Sequence, residues 1–202
     1  MNEVIDKYYI NANDLLKDSF QLAALIENSG YIPDLILGVW RGGSPIAIAI
    51  HEFFSFKGYE IEHFPVRVSS YTGISEQSNE IKVQGLAYLL EELIKPENTL
   101  QRILIVDDVF DSGRSLATLL LEIKSDYQQL CPTLALPEIR LACPWYKPEN
   151  NKTDITPDYY LHLSEQWLVF PHELVGLSEK ELKNNKEGLP LQAILTSDEQ
   201  DR

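Results

Sequence analysis

Asp107, Asp108 and Asp111 fall within one short stretch, and Ser112, Gly113, Arg114 and Ser115 follow directly. The second group offers two hydroxyls, a guanidinium and, at the start of a helix, free backbone N–H groups, a set suited to a phosphate monoester. The carboxylates alone would repel such an anion. Sugar hydroxyls that donate to them, together with a magnesium ion, would resolve the conflict. In the bland alternative the acids cap a helix and line a solvated turn. A DDxxD string also occurs on helices that bind prenyl diphosphates, but here the apolar run Ile103 to Val106 precedes it as a strand.

Such a strand needs neighbours. Leu35, Ile36, Leu37 and Val39 form a second continuous apolar run, the mark of a strand buried on both faces of a parallel sheet. It ends at Arg41-Gly42-Gly43. Ser44 as N-cap and Pro45 at the first helical position predict a helix through Phe56 that closes at Gly58. Upstream, Leu15, Leu16, Phe20, Leu22, Ala23 and Ile26 have helical spacing within residues 11–29. Tyr59 to Val68 alternates as a strand, whereas Ser69 to Val83 is polar and aperiodic and reads as a mobile loop, a candidate lid. A short helix over Gly85 to Ile94, and another from about Leu116 to Ile123 after the acidic turn, complete two strand, turn, helix units. Ile139 to Cys143 and Tyr159 to Leu163 read as later strands, and Trp167 to Phe170 as an aromatic, strand-like segment. Ser178 and Glu181 make a capping box for a weak final helix. The expectation is one α/β domain over residues 1–177, a mainly parallel twisted sheet flanked by helices, with a charged tail over 178–202 that is partly helical or disordered.

The string ILIVDDVFDSGRS resembles the 5-phosphoribosyl 1-diphosphate (PRPP) signature of type I phosphoribosyltransferases. GVWRGG, Gly38 to Gly43, is similar to the diphosphate-binding loop of that family, where glycines let the backbone approach the ligand. Ser70-Tyr71 resembles the Ser-Tyr of the lid that closes over PRPP. Taken alone, Arg-Gly-Gly is a plain turn and Ser-Tyr a surface loop. The resemblance implies that Arg41, Gly42, Gly43, Ser70 and Tyr71 bind PRPP, with Asp107 and Asp108 on the ribose hydroxyls and Ser112, Gly113, Arg114 and Ser115 on the 5-phosphate. It implies Mg2+ as cofactor, held by Asp108 and, from where relatives place another acid, Glu173. Asp111 is the implied catalytic residue, holding or accepting the purine N7 proton. An ordinary aspartate is a weak base, so its site is expected to be partly desolvated.

The C-terminal third, WYKPENNKTDITPDYY and then QWLVFPHE, is similar to the hood of 6-oxopurine phosphoribosyltransferases, particularly the short microbial hypoxanthine and xanthine-guanine enzymes. By that resemblance a small hood, from about residue 144 to 174 with N-terminal residues, covers the base site. Trp167 stacks on the purine, the Leu168 backbone meets its C2 edge, and Lys147 donates to O6. Lysine has donors and no acceptor, which satisfies a 6-oxo group and opposes the 6-amino group of adenine. Otherwise Trp167 would be a core aromatic and Lys147 a solvated lysine. The match spans about residues 8–174. Two positions depart from it: His172 stands where relatives carry tryptophan, and Trp40 is bulky for its loop.

Composition narrows the function further. Of 202 residues 44% are hydrophobic and 24% charged, globular proportions with room for a core. The longest apolar run, Pro45 to Ile50, cannot span a bilayer, and the N-terminus carries no basic region before an apolar stretch, so the expectation is cytoplasmic. Cys131 and Cys143 have no disulfide or zinc spacing and read as reduced core thiols, while His51, His63, His162 and His172 are scattered without metal spacing. Seventeen basic against 31 acidic side chains give a net charge of −14, which argues against nucleic acid or anionic membranes as partners. The resemblance implies PRPP and a purine base as partners, and a homo-oligomer, dimer or tetramer. Two alternatives stay open: a non-catalytic PRPP- or nucleotide-sensing protein, and a phosphoribosyltransferase for another base.

Overall fold

The computed structural model describes residues 6–72, 79–93, 100–133 and 135–195, with backbone only for 70–72, 79–80 and 92–93. Two compact units form, one of the N-terminal residues up to Leu15 with those from Gln166 on, the other of Leu16–Glu165. In chain order the elements are β1 (Lys7–Tyr9), α1 (Ala12–Asn28), β2 (Leu35–Trp40), α2 (Gly43–Phe56), β3 (Glu62–Thr72), β4 (Asn79–Gln84), α3 (Leu86–Leu93) and β5 (Arg102–Val106). There follow β6 (Val109–Phe110), α4 (Arg114–Leu130), β7 (Glu138–Ala142), β8 (Trp145–Tyr146), β9 (His162–Leu163), β10 (Trp167–Val169), α5 (Glu179–Asn185) and α6 (Leu191–Leu195).

The larger unit is built on a five-stranded sheet of order β4-β3-β2-β5-β7, parallel except for β4. Its strands β2 and β5 carry continuous apolar runs, Leu35–Val39 and Ile103–Val106, because both faces are covered there. Leu35, Leu37, Ile103 and Ile105 join a core with Leu86, Leu89, Leu116, Leu119 and Ile123 from α3 and α4. Ile36, Leu104 and Val106 are fully buried on the opposite face, where α2 lies so close that a Cβ on Gly38 would touch that of Ala47 at 3.0 Å. Each such leucine or isoleucine contributes about 1.5–3 kcal/mol of transfer free energy. A second, three-stranded sheet, β6-β8-β9, carries the chain beyond β5. In the smaller unit β1 and β10 pair in parallel.

Three expectations change. Ser69 to Val83 is not a loop: β3 runs to Thr72 and pairs antiparallel with β4, Val68 opposite Val83, while residues 73–78, part of that expected loop, lie outside the described residues. These two valines pack on the core, and so few inward apolar positions gave too short a period to read. Ser44 is not the N-cap of α2: the cap is Gly42, two residues earlier, and the Ser44 hydroxyl is buried without a hydrogen-bond partner among the described residues. The helix α4 continues to Leu130, seven residues past Ile123, with Tyr127 extending its buried stripe of Leu116, Leu119 and Ile123.

Candidate active site

β5 ends with its acids at the C-terminal edge of the sheet, where open α/β sheets place their ligands. Asp107 donates its N–H to Ala142 (3.1 Å), prolonging the β5–β7 ladder, and accepts the Asp108 N–H on its own carboxylate (3.0 Å). Burial, and next the charge of Asp108, push the Asp107 carboxyl well above the usual carboxylate range. Directly against this pair lies the turn between β2 and α2. A Cβ on Gly42 would fall 1.7 Å from Asp108 Oδ2, and one on Gly43 would fall 2.2 Å from the Val106 carbonyl oxygen. Only bare backbone fits there, so the Arg41-Gly42-Gly43 turn and the Asp107-Asp108 pair form one surface. The Trp40–Arg41 peptide is cis, and the Trp40 and Arg41 side chains are exposed.

After β6 the chain turns through Asp111, Ser112 and Gly113 into α4. Gly113 is the N-cap in a left-handed conformation (φ 75°), and a Cβ there would meet the Thr153 hydroxyl at 2.5 Å and the Phe110 ring at 2.7 Å. No side chain caps this helix, whose seventeen residues leave the first-turn N–H groups and the positive end of the helix dipole facing the turn. A small pocket opens here, lined by Asp107, Asp111, Ser112, Gly113 and Ser115 among others. It is a concave site with N–H groups, hydroxyls and carboxylates; the Arg114 side chain is exposed.

Lys147 joins the same place from β8 and the following turn. Its backbone N–H donates to Phe110 (2.9 Å), and its ammonium, whose side chain is only 12% exposed, lies 3.5 Å from the Asp111 carboxylate. The other Asp111 oxygen accepts from the Asn150 side-chain amide. The Asp111 side chain is half-buried, 44% exposed, so the described protein groups pair this carboxylate without enclosing it. Lys147, Asn150, Glu149 and Glu165 line a second, open recess. Asn150 and Glu165 were missed in the sequence, because a single amide or acid in a polar run carries no periodic or motif signal. Lys152 donates to the Ser112 carbonyl (3.0 Å), so the 148–153 turn braces the acidic turn from outside.

The remaining candidates behave differently. Ser70 and Tyr71 sit in β3 opposite Ile81 and Glu80, and their side chains lie outside the described residues. In the smaller unit Trp167 is 57% exposed, so it is no core aromatic, while the Leu168 side chain is buried. Trp167 donates its N–H to Asp6 and Val169 accepts from Ile10 (3.0 Å). In a parallel ladder the intervening residue then turns its N–H and C=O away from β1, so Leu168 presents both groups at the other edge of β10. Glu173 accepts the Phe170 N–H (2.9 Å), closing its own turn.

Two glycine turns meet a half-buried acidic pair at the carboxyl edge of a parallel sheet, with an uncapped helix start beside them, a scaffold suited to a sugar phosphate. The chain belongs to the phosphoribosyl transferase domain family, whose profile matches residues 8–176. A hypoxanthine-guanine phosphoribosyltransferase of Lactococcus lactis subsp. lactis is 27% identical over 199 residues, 96% of this chain and 93% of the relative. The crystal structure of a purine phosphoribosyltransferase from Pyrococcus horikoshii is 27% identical with a TM-score of 0.61 and covers 86% of this chain and 99% of its own. A xanthine-guanine-hypoxanthine phosphoribosyltransferase of Helicobacter pylori, 23% identical with a TM-score of 0.65 over 89% of this chain and 97% of its own, shares the fold.

The family works with Mg2+, and the donor set here fits that ion. Asp107 and Asp108 supply oxygen donors only, and burial with mutual repulsion gives them reason to take a cation. No group of three or more His, Cys, Asp or Glu side chains converges among the described residues. Among the described residues no helix is long and apolar enough to cross a membrane.

Proposed function

We propose that this protein transfers the ribose 5-phosphate of PRPP to N9 of a 6-oxopurine, hypoxanthine, guanine or xanthine, giving the nucleoside 5′-monophosphate and diphosphate. The observation that carries this reading is the Asp111 carboxylate flanked by the Lys147 ammonium and the Asn150 amide at the mouth of the Ser112–Ser115 turn. A site that only bound a sugar phosphate would not need a carboxylate held beside a nearly buried lysine.

In this reading the first-turn N–H groups of α4, with Ser112, Gly113, Arg114 and Ser115, hold the 5-phosphate. Asp107 and Asp108 accept the ribose hydroxyls, and Asp108 with its neighbour would hold Mg2+. Glu173 remains the proposed second acid by resemblance alone. Bound there, Mg2+ would supply charge neutralisation for the diphosphate. The bare Gly42-Gly43 backbone, with Arg41, receives that diphosphate as the C1′–O bond breaks and positive charge grows on the sugar. The N9 lone pair then bonds to C1′, and Asp111 takes or holds the proton on N7. Lys147, which already faces Asp111, has further donors for the purine O6. Trp167, exposed and free to stack, and the outward N–H and C=O of Leu168 serve the base, in a hood formed by residues from about 144 to 174 with the N-terminal strand. Ser70 and Tyr71 on the β3–β4 hairpin cover PRPP and keep water from the reacting carbon. The catalytic domain takes in residues 1–177, and the protein works in the cytoplasm as a homo-oligomer.

The test is magnesium-dependent diphosphate release from PRPP with guanine, hypoxanthine, xanthine, adenine and orotate offered singly. Release with one or more 6-oxopurines and not with adenine or orotate is expected. PRPP binding without release for any base would favour a sensor instead.

A further inference from the structure

Lys186 is 6% exposed, an uncommon place for a lysine, and it lies beyond the family match that ends at residue 176. Its ammonium donates to the carbonyl of Phe170 and, at 3.3 Å, to that of Pro171, the two residues that follow β10. The Glu173 carboxylate supplies the opposite charge nearby while accepting the Phe170 N–H. A buried ammonium is tolerated only when paired and hydrogen-bonded, and in return it satisfies carbonyls that would otherwise be orphaned. At the other end of the same helix α5, Glu181 takes the Lys7 ammonium (2.6 Å) and the Tyr9 hydroxyl (2.9 Å) of β1, and both Ser178 donors. Leu182 is buried between these two anchors. The helix therefore grips β1 with one end and the exit of β10 with the other.

We infer that α5 is a clasp that sets the position of the base-recognition strand β10, and that Lys186 and Glu181 are positioning residues for binding of the purine. This rests on the proposed role of Trp167 and Leu168. β10 is three residues long, paired only through Trp167 and Val169, and its outward edge at Leu168 must be held still to discriminate a base edge. PRPP, held by the other unit's turns, draws on none of these contacts.

Lys186→Met and the milder, surface Glu181→Ala test it by two readouts. In steady-state kinetics KM for the purine is expected to rise about fivefold or more in each variant with KM for PRPP within about twofold. Equal changes in both KM values, or no change in either, overturn the clasp. In hydrogen exchange the amides of residues 167–170 are expected to lose about tenfold or more protection while those of β2 and β5 keep theirs. Unchanged protection at 167–170 also overturns it. Should the unmodified protein turn over no base, that failure falls on the proposed function, and the exchange measurement still decides the clasp.

Discussion

Asp111→Asn keeps the shape of the side chain and its reach to Asn150 while removing the charge. The Asp111–Lys147 pair, at 3.5 Å with the carboxylate 44% exposed, is a partly solvated ion pair. Such pairs contribute about 0.2–1 kcal/mol, so the substitution is expected to lower Tm by no more than about 4 °C in a chain of this size. Its effect on turnover has a different origin. A positioned proton acceptor contributes roughly 10²- to 10⁴-fold, so kcat for the favoured purine is expected to fall at least about tenfold, and by about a hundredfold where proton removal from N7 limits the rate. The assay is continuous diphosphate release at saturating PRPP, with PRPP binding followed separately by calorimetry. Affinity for PRPP is expected to stay within about threefold, because the 5-phosphate and ribose contacts lie on other residues. Turnover that survives undiminished would refute the role of Asp111, and a loss of PRPP affinity equal to the loss of turnover would move that residue from chemistry to substrate binding.

Lys147→Met removes a charge-assisted donor worth about 1.5–3 kcal/mol, so KM for 6-oxopurines is expected to rise roughly 10- to 150-fold with KM for PRPP unchanged; equal shifts of both would exclude a contact to O6. Gly43→Ala drives a Cβ to 2.2 Å from the Val106 carbonyl oxygen and 2.8 Å from the Asp107 Cα, backbone that cannot swing aside, and is expected to cost about 1–3 kcal/mol in urea unfolding. Ile105→Ala, in the centre of β5, is expected to cost about 2–5 kcal/mol by the same measurement. Asp107 gives a pH signature: its carboxyl is raised above the unfolded value of 3.8, so the native state binds the extra proton and ligand-free stability falls as pH rises from that value through the raised one. Asp107→Asn is expected to flatten that slope in urea titrations across pH, and an unaltered slope would place its origin elsewhere.

The sheet was legible because continuous apolar runs at Leu35–Val39 and Ile103–Val106 can only be strands covered on both faces. The glycine turns at Gly42-Gly43 and Gly113 were legible for the same steric reason that the structure displays: no Cβ fits beside Asp108, Val106 or Phe110. What escaped were features set by tertiary pairing. The β3–β4 hairpin depends on a Val68–Val83 contact that two isolated valines do not announce. The two-residue strands β6, β8 and β9 are shorter than any hydrophobic period, yet they bring Lys147 to Asp111. Lys186 looked like one more charge in a charged tail, and only the fold reveals the carbonyls it satisfies.

The acidity of the chain also reads differently once the site is assembled. A net charge of −14 and three clustered aspartates would seem to exclude a phosphorylated ligand. Yet Asp107 keeps its proton to higher pH because it is buried beside Asp108, and Asp111 faces the Lys147 ammonium. At the same sheet edge the open N–H groups of α4 and the bare glycine backbone supply fixed positive potential. The local field at the anion site is therefore set by a few oriented groups within the Debye length of roughly 8 Å, and the surplus acids elsewhere on the surface are screened from it. It follows that raising the salt concentration should weaken PRPP binding only modestly, whereas reversing the local balance with Lys147→Glu should abolish purine-dependent turnover at any salt; a steep salt dependence in the unmodified protein would show that the surplus surface charge, and not the built site, governs the ligand.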